Sequence, residues 1–268
     1  MSEQVKVEID GAVATVTVDN PPVNAMSDAV LEGLRAAAEA ISADRAVRSV
    51  VLTGAGERAF IAGADLGEIA EHLGRPEGMR AHVEATAPMF EAWAQMPQPL
   101  VAAVQAHAVG GGLELALLCD LIVVAPNVKL GLPEVTLGLI PGAGGTQRLP
   151  RRVSSGTAAE MLLLGRLLDA EEALEAGLVN EVADESRCLE RATALAARLS
   201  ALPALAVQAA KRAMRGAMTD GAGIGAREVA GCGLALERQL FLSVAASSDA
   251  LEGARAFLER RAPKFEHR

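Results

Sequence analysis

Three short, largely apolar segments constrain the fold of this chain more than any other feature of its sequence. They are RSVVLTGAG (residues 48–56), PLVAAVQAHAV (99–109) and DLIVVAPN (120–127). Strands that are apolar at nearly every position have both faces covered, as in parallel sheets flanked by helices. Helical patterns lie between these segments and dominate from about residue 154 onward. The sequence therefore predicts an α/β fold with a mainly helical C-terminal part.

The N-terminal segment has a different pattern. VKVEIDGAVATVTVDN (residues 5–20) alternates apolar and polar residues on both sides of Asp10-Gly11. This alternation around an Asp-Gly pair predicts a β-hairpin. Ser27 then precedes residues with helical spacing of apolar side chains, which predicts a helix that begins there.

Composition narrows the choice of partners. The chain has 268 residues, a formal net charge of -9 and a pI of about 5.1. An acidic chain without a long Lys/Arg cluster is not expected to bind a nucleic acid. Only 2% of its residues are aromatic and none is tyrosine, which disfavours stacking of nucleic-acid bases and removes tyrosine as a general acid.

The cysteines and the hydrophobic segments indicate a compartment. The three cysteines, Cys119, Cys188 and Cys232, are widely spaced and form no CxxC motif, as is typical of a reducing environment. No signal peptide and no window of about 18 uncharged apolar residues is found, so no membrane association is expected. The prediction is a cytoplasmic protein. The scattered histidines contain no HExxH motif, and no metal site is predicted.

The common nucleotide and hydrolase motifs are missing from the sequence. It has no GxxxxGK[ST] motif and no GxGxxG motif after a strand, which disfavours P-loop and Rossmann sites. It also has no GxSxG motif, which disfavours an α/β-hydrolase serine.

The stretch GGGLELALLCD (residues 110–120) places three glycines before an apolar helix. Glycine permits close approach of the backbone to a ligand, and the first amides of a helix lack intrahelical acceptors. Such amides, of which Gly111 is one, could bind an oxyanion. A tight strand-to-helix turn with packing glycines explains the same residues equally well.

A second candidate donor lies in AFIAGADLGEI (residues 59–69). Asp65 and Glu68 form a variant of the helix capping box, so that Ala64 precedes a helix start. The Ala64 amide could then be a second oxyanion donor. Taken alone, the motif is also typical of a purely structural helix cap.

Two glutamates lie in apolar surroundings. Glu114 is in the first turn of the helix after the glycines, and Glu134 follows Pro133 in GLPEVTLGLIPGAGG (residues 131–145). A glutamate flanked by apolar residues is costly to bury unless it is paired or functional. Two carboxylates in one pocket repel each other, so the pKa of one should rise, which would give a working acid/base pair. His107, in an apolar strand, is expected to be a packed core residue.

These segments, together with AEEALEAGLVNEV (170–182), resemble the crotonase superfamily over nearly the whole chain, and most closely its enoyl-CoA hydratases. The resemblance implies a spiral of repeated ββα units with a C-terminal helical trimerisation region. It implies a core domain at residues 1–200 with the CoA thioester site, and an oligomerisation region at 201–268. The expected assembly is a homotrimer or a homohexamer made of two trimers.

The same resemblance assigns roles to the candidate residues. Ala64 and Gly111 correspond to the two oxyanion amides, and Glu114 and Glu134 to the catalytic glutamates. The implied reaction is reversible addition of water to C2=C3 of a trans-2-enoyl-CoA, with coenzyme A as part of the substrate and no cofactor or metal. The implied substrate-binding residues are Ala25, Met26, Ala62, Asp65, Leu66, Gly110, Pro133, Gly142, Lys264 and Phe265.

Alternatives to a straight-chain hydratase remain open. A Δ3-Δ2 enoyl-CoA isomerase would need only one glutamate, and a branched, aromatic or cyclic acyl group would fit the same motifs. The segment at residues 67–90 is longer than in the short-chain hydratases, and Gly67 stands where many relatives have lysine, so acyl-chain preference is not fixed. A non-catalytic CoA-binding protein would be expected to have lost the glutamates or the glycines, which are intact.

Overall fold

A computed structural model describes residues 3–63, 72, 75–184, 187–219 and 226–267. Ten strands occur in this part of the chain. They are β1 (Val5–Asp10), β2 (Val13–Val18), β3 (Ser49–Gly54), β4 (Ala59–Ile61), β5 (Leu100–Val104), β6 (His107–Val109), β7 (Leu121–Val124), β8 (Lys129–Gly131), β9 (Leu168–Asp169) and β10 (Glu181–Val182).

The helices surround these strands and dominate the second half of the chain. They are α1 (Asp28–Ala43), α2 (Pro76–Gln95), α3 (Gly111–Ala116), α4 (Gly145–Arg148), α5 (Ser155–Leu163), α6 (Ala170–Glu175), α7 (Cys188–Ser200), α8 (Ala204–Thr219), α9 (Ala226–Ala245) and α10 (Ser248–Glu259). Short 3₁₀ segments span Glu134–Leu137 and Leu149–Arg151.

The strands form two sheets. The larger has the order β1-β2-β3-β5-β7-β10, and the smaller the order β4-β6-β8-β9. The predicted hairpin is confirmed, because β1 and β2 pair antiparallel around Gly11, whose φ of 57° suits a tight turn. From β2 to β10 the larger sheet is parallel, as its apolar strands predict.

Consecutive strands alternate between the two sheets. β3, β5 and β7 belong to the larger sheet, and the strands that follow them, β4, β6 and β8, pair in parallel in the smaller one. Helices α2 and α3 complete the turns that begin at β3 and β5. This is the expected spiral of ββα units.

The core lies between the larger sheet and the helices that cover it. The fully buried Trp93 on α2 donates its ring N–H to the Leu34 carbonyl on α1 over 2.9 Å. On the sheet, the Ser49 hydroxyl donates to the Ala196 carbonyl on α7 over 2.8 Å. These buried hydrogen bonds satisfy polar groups within an apolar core and fix the helices on the sheet.

The prediction that His107 is a packed core residue is wrong. Its side chain is exposed, and Nδ1 accepts a hydrogen bond from the Lys129 amide at 3.0 Å. His107 is the first residue of the three-residue strand β6, at the strand's amino end, where the side chain reaches solvent although its neighbours are apolar.

The C-terminal helices begin with α8, which is anchored to the core by charge. Lys211 is 7% exposed, and its ammonium group lies 2.9 Å from Asp120. Arg215 contacts the same carboxylate at 3.0 Å.

The boundary at residue 200 between a core domain and an oligomerisation region remains a prediction. Among the described helices, no single one is long and apolar enough to cross a membrane, although the bent pair Cys188–Ser200 and Ala204–Gly216 meets the length and composition criteria together.

Candidate active site

The candidate site forms where three parallel strands of the smaller sheet end. β6 lies between β4 and β8, so the residues that follow all three strands meet at one edge. The Gly110 amide donates to the Gly131 carbonyl over 2.9 Å, which ties the ends of β6 and β8 together. At the other side, a Cβ on Gly63 would lie 3.0 Å from the Gly111 nitrogen. The topology therefore brings together segments that are about 25–50 residues apart in sequence.

The three glycines at residues 110–112 are required, or exposed, for three different structural reasons. Gly110 has φ 59° and ψ −133°, and a Cβ there would lie 3.2 Å from Oε1 of Glu134. Gly111 is the first residue of α3, so its N–H has no acceptor within the helix. A Cβ on Gly112 would lie 1.8 Å from the Ile61 carbonyl oxygen. The turn and packing interpretation thus holds for Gly110 and Gly112, while Gly111 presents an amide next to Gly63.

The second proposed amide donor lies outside the described residues. Ala64, Asp65 and Leu66 belong to the segment at residues 64–71, and the last described residue before it is Gly63. Gly63 has φ 88° and accepts a 2.8 Å hydrogen bond from the Met26 amide. Gly63, which follows the end of β4 by two residues, therefore lies directly beside the start of α3.

Glu114 is held by backbone amides. Its side chain is 3% exposed, and Oε1 accepts hydrogen bonds from the Ala143 and Gly145 amides at 2.8 and 2.7 Å. Gly145 comes close because it has no side chain: a Cβ there would lie 3.0 Å from the same oxygen. The apolar surroundings expected around Glu114 are present in its buried neighbours Leu113 and Leu115.

Glu134 is held more loosely. It begins the 3₁₀ turn after Pro133 and is half-buried, while its neighbours Val135 and Leu137 are exposed. Its Oε2 atom is buried and has no hydrogen-bond partner among the described residues. A buried carboxylate oxygen without a partner is costly when ionised and suits a group that binds a ligand or carries a proton.

Burial raises the pKa of both glutamates above the ordinary range. For Glu114, the hydrogen bonds from Gly145 and Ala143 and the positive charge of Arg148 oppose this rise in pKa. For Glu134, burial is again the main cause; a hydrogen bond to its own backbone opposes the rise in pKa, and the negative charge of Glu114 adds to it. The expectation of two mutually repelling carboxylates with an upward shift is met at Glu134.

The remaining predicted substrate residues on the N-terminal side lie along the end of β4. The Ala62 amide donates to the Val23 carbonyl over 3.1 Å, and Ala62 is exposed while Met26 is buried. Ala25 accepts a 2.8 Å hydrogen bond from the side-chain amide of Asn20. The loop that carries Ala25 and Met26 thus lies against the same strand end as Gly63.

The other predicted residues divide between two places. Pro133 directly precedes Glu134 and packs against Gly165, where a Cβ would lie 3.3 Å from the Pro133 Cα. Gly142 is exposed and adjoins the loop that holds Glu114. Lys264 and Phe265 instead contact α10: the Lys264 amide donates to Glu252 over 2.8 Å, and Phe265 lies next to Gly253.

The sequence does not predict a role for two polar residues near the site, Asn24 and Arg148. Asn24 has φ 56° and is buried, and its side-chain amide donates to the Ala55, Ala59 and Phe60 carbonyls at 2.8, 3.1 and 3.2 Å. It fixes the loop at residues 20–26 on β4. Arg148 donates to the Ala143 carbonyl over 2.6 Å, beside Glu114. The only available signal was an asparagine in a turn-rich segment and an arginine close to the glycine-rich loop.

Metal binding finds no support in these residues. Within the described ranges, no group of three or more His, Cys, Asp or Glu side chains could hold a metal ion. The expected absence of a metal or cofactor stays a prediction.

The spiral of ββα units and a site of two carboxylates beside a helix start define a crotonase-type α/β enzyme. Residues 8–268 match the enoyl-CoA hydratase/isomerase family. The chain is 42% identical to 2,3-dehydroadipyl-CoA hydratase of Escherichia coli K12 over 261 residues, which cover 96% of each chain. The chain belongs to the enoyl-CoA hydratase/isomerase family, as its resemblance to the crotonase superfamily predicts.

Solved structures agree with this assignment. Enoyl-CoA hydratase from Bacillus anthracis is similar with a TM-score of 0.88 and 37% identity, covering 99% of this chain and 100% of that one. Pseudomonas aeruginosa DspI is similar with a TM-score of 0.90 and 35% identity, covering 99% and 97%. The similarity therefore extends over the whole fold and includes the C-terminal helices.

Proposed function

We propose that the chain is an enoyl-CoA hydratase that reversibly adds water across C2=C3 of trans-2-enoyl-CoA thioesters. The observation that carries the proposal is the placement of Glu114 and Glu134 at adjacent strand ends, next to the Gly111 amide. An isomerase needs a single proton shuttle, whereas hydration needs a group that handles water and another that handles the proton at C2. The presence of two carboxylates with different environments favours hydration.

The first part of the mechanism concerns the thioester carbonyl. Its oxygen accepts a hydrogen bond from the Gly111 amide, with the Ala64 amide as the expected second donor. As water attacks C3, negative charge moves onto this oxygen. Loss of one such donor typically costs about 2.7–4 kcal/mol in the barrier.

The second part concerns protons. Glu114, fixed by two amides, orients a water molecule and accepts a proton from it as its oxygen bonds to C3. Glu134, whose pKa is raised, donates a proton to C2. One water is added in total, and a proton transfer between the two carboxylates through the next water restores the starting state.

The substrate and the assembly follow from the same proposal. Coenzyme A enters as part of the substrate, beside Ala25, Met26 and Ala62, and the enzyme works as a homotrimer or a homohexamer in the cytoplasm. Large apolar side chains on the C-terminal helices support association, because patches of this kind commonly mark protein interfaces. Exposed examples are Phe241, Leu242, Leu251, Phe257 and Leu258.

The acyl group is the least constrained part of the proposal. The name of the E. coli relative makes 2,3-dehydroadipyl-CoA the first thioester to compare with crotonyl-CoA. A higher kcat/KM for dehydroadipyl-CoA would assign a dicarboxylic acyl group to this chain. A preference for crotonyl-CoA would assign a short unbranched one.

The decisive experiment follows the loss of the conjugated-enoyl absorbance of crotonyl-CoA and dehydroadipyl-CoA with wild type and Glu134→Gln. The wild type should hydrate at least one of them, and the variant should be slower by about 10²–10⁴-fold. Glu175→Gln, an exposed glutamate on α6, serves as the control. Conversion of a 3-enoyl-CoA without any hydration would instead assign the isomerase activity.

A further inference from the structure

Arg148 and Glu114 contact the same loop, at residues 143–145, from opposite sides. The Ala143 amide donates to Glu114 Oε1 over 2.8 Å, while the Ala143 carbonyl accepts a 2.6 Å hydrogen bond from the Arg148 guanidinium. The Arg148 backbone amide also donates to the Gly144 carbonyl over 2.9 Å. Arg148 therefore closes the loop at residues 143–148 on itself, with the amide of its first residue aimed at the carboxylate.

Gly144 shows how closely the guanidinium is packed. Its φ is 100°, and a Cβ there would lie 2.1 Å from Nη1 of Arg148. The guanidinium thus lies where a side chain would otherwise be, and the positive φ of Gly144 favours glycine at this position. The arrangement is a built contact, unlike that of a mobile surface arginine.

The charge of Arg148 reaches Glu114. The side chain is half-buried, and burial lowers the pKa of its guanidinium while the negative charge of Glu114 raises it. In return, the positive charge lowers the pKa of Glu114. The other charged groups that face this pair are Glu134 on the side of Glu114, and Arg151 and Arg215 on the side of Arg148.

We propose that Arg148 is a positioning residue for the hydration reaction: it holds the Ala143–Gly145 segment so that both amides bind one oxygen of Glu114, and its positive charge lies on the side of that carboxylate away from Glu134. Within the described residues, both hydrogen bonds to Glu114 end on Oε1. The other oxygen is then directed at the water that attacks C3. This inference rests on the proposed hydratase function.

The kinetic test compares Arg148→Met with Arg148→Lys and with Arg151→Met. Arg151 is exposed and donates to the Gln147 carbonyl over 2.7 Å, which makes it a matched arginine on the neighbouring turn. Arg148→Met should lower kcat for crotonyl-CoA about tenfold, below the roughly 10²–10⁴-fold of a lost acid or base, with little change in KM. Arg148→Lys should recover part of the loss, and Arg151→Met should stay within about twofold of wild type.

The pH dependence separates positioning from a general structural role. Removal of the positive charge should raise the pKa of Glu114, so the acidic limb of the kcat profile should move to higher pH in Arg148→Met. In Arg148→Lys the limb should stay near its wild-type position. If Arg148→Met does not fold, Arg148→Gln carries the same expectation. An unchanged acidic limb in the neutral variant, or an equal shift in Arg151→Met, would overturn the proposal.

A measurement without turnover separates this inference from the proposed function. An isotope-edited infrared titration of glutamate carboxyl groups, with Glu114→Gln subtracted to assign the band, reads the ionisation of Glu114 directly. The band should titrate at higher pH in Arg148→Met than in wild type, even if wild type hydrates none of the thioesters tested. Identical titration in both proteins would refute the positioning role while leaving the hydratase assignment intact.

Discussion

Glu114 and Glu134 reach the same site from neighbouring strand ends, yet the chain holds their carboxylates in opposite ways. Glu114 is 3% exposed and accepts two amide hydrogen bonds on one oxygen, with a guanidinium close behind. Glu134 is half-buried on a 3₁₀ turn, and its Oε2 is buried without a partner among the described residues.

The difference indicates how two identical side chains could divide acid and base work. Amide donors and a nearby cation favour the ionised form of a carboxylate, whereas burial without donors favours the protonated form. The donors and the cation oppose the rise in the pKa of Glu114 that burial causes, whereas at Glu134 the negative charge of Glu114 adds to the rise in pKa. The comparison predicts separate roles, and each role can be tested in the absence of the other.

The largest expected effect separates the two glutamates by chemistry. A saturated thioester such as butyryl-CoA has no double bond to hydrate, but its C2 proton can exchange with D2O through Glu134. Glu134→Gln should slow this exchange by about 10²–10⁴-fold, whereas Glu114→Gln should slow it much less. NMR of the C2 position gives both rates. Equal losses in the two variants would mean that the carboxylates act as one unit.

Stability provides the next contrast. Glu114→Ala leaves the Ala143 and Gly145 amides without their acceptor, which should lower the free energy of unfolding by about 1–3 kcal/mol. Glu134→Ala removes an unpartnered oxygen and should cost less than about 1 kcal/mol. Urea denaturation at one fixed protein concentration measures both, because an oligomer's stability depends on concentration.

The control for this contrast is Glu114→Gln. The glutamine side-chain carbonyl can still accept hydrogen bonds from both amides. The variant should therefore unfold near the wild-type midpoint while losing hydratase activity. A Glu114→Gln variant as unstable as Glu114→Ala would show that the charge, and not the amide contacts, holds the loop.

Both glutamates can be predicted from the sequence, because the pattern that marks them involves only neighbouring residues. A charged residue surrounded by leucines stands out in any apolar segment, and the glycines before Glu114 mark a strand-to-helix turn. The hairpin and the buried parallel strands were readable for the same reason, since alternation and apolar runs are properties of neighbouring residues.

The contacts of Arg148 and Asn24 could not be predicted from the sequence. Both side chains donate to backbone carbonyls, and the positions of those carbonyls depend on loop conformation and not on residue type. The alternation of strands between two sheets was implied by family resemblance alone. The strands β4, β6 and β8 have only three residues each, which is too short to show a period. The exposure of His107 is not predictable from the sequence either, because a three-residue strand gives no sign that His107 lies at its amino end.

Gly→Ala substitutions at Gly110 and Gly11 should differ in their effect on kcat. Gly110 and Gly11 have φ of 59° and 57°, so Gly→Ala should strain the backbone at both, and more at Gly110, whose ψ of −133° lies outside the left-handed helical region. Only at Gly110 would the new Cβ come within 3.2 Å of Glu134 Oε1, whereas at Gly11 it meets nothing within 4 Å. Gly110→Ala should therefore also lose on the order of tenfold in kcat, given that a ~1 Å misplacement costs roughly 10²-fold. Steady-state kinetics at matched folded fractions checks this, and equal kcat values in the two variants would contradict it.

The smallest expected effect is the pH dependence that Glu134 adds to stability. Its pKa in the folded protein is raised above the ordinary value of 4.5, so the folded state favours the protonated form. This stabilisation is complete below pH 4.5 and is lost as the pH rises through the folded pKa. Glutamine stays neutral throughout, so Glu134→Gln should gain stability relative to wild type as the pH rises from 4 to 8.

The gain should stay below about 1 kcal/mol, because the side chain is only half-buried and solvent screens its charge. Urea midpoints of the two proteins at a series of pH values give the difference, which contains the contribution of Glu134 together with its repulsion from Glu114. A constant difference between wild type and Glu134→Gln across this range would mean that Glu134 is charged at low cost. The proton at C2 would then have to come from another group.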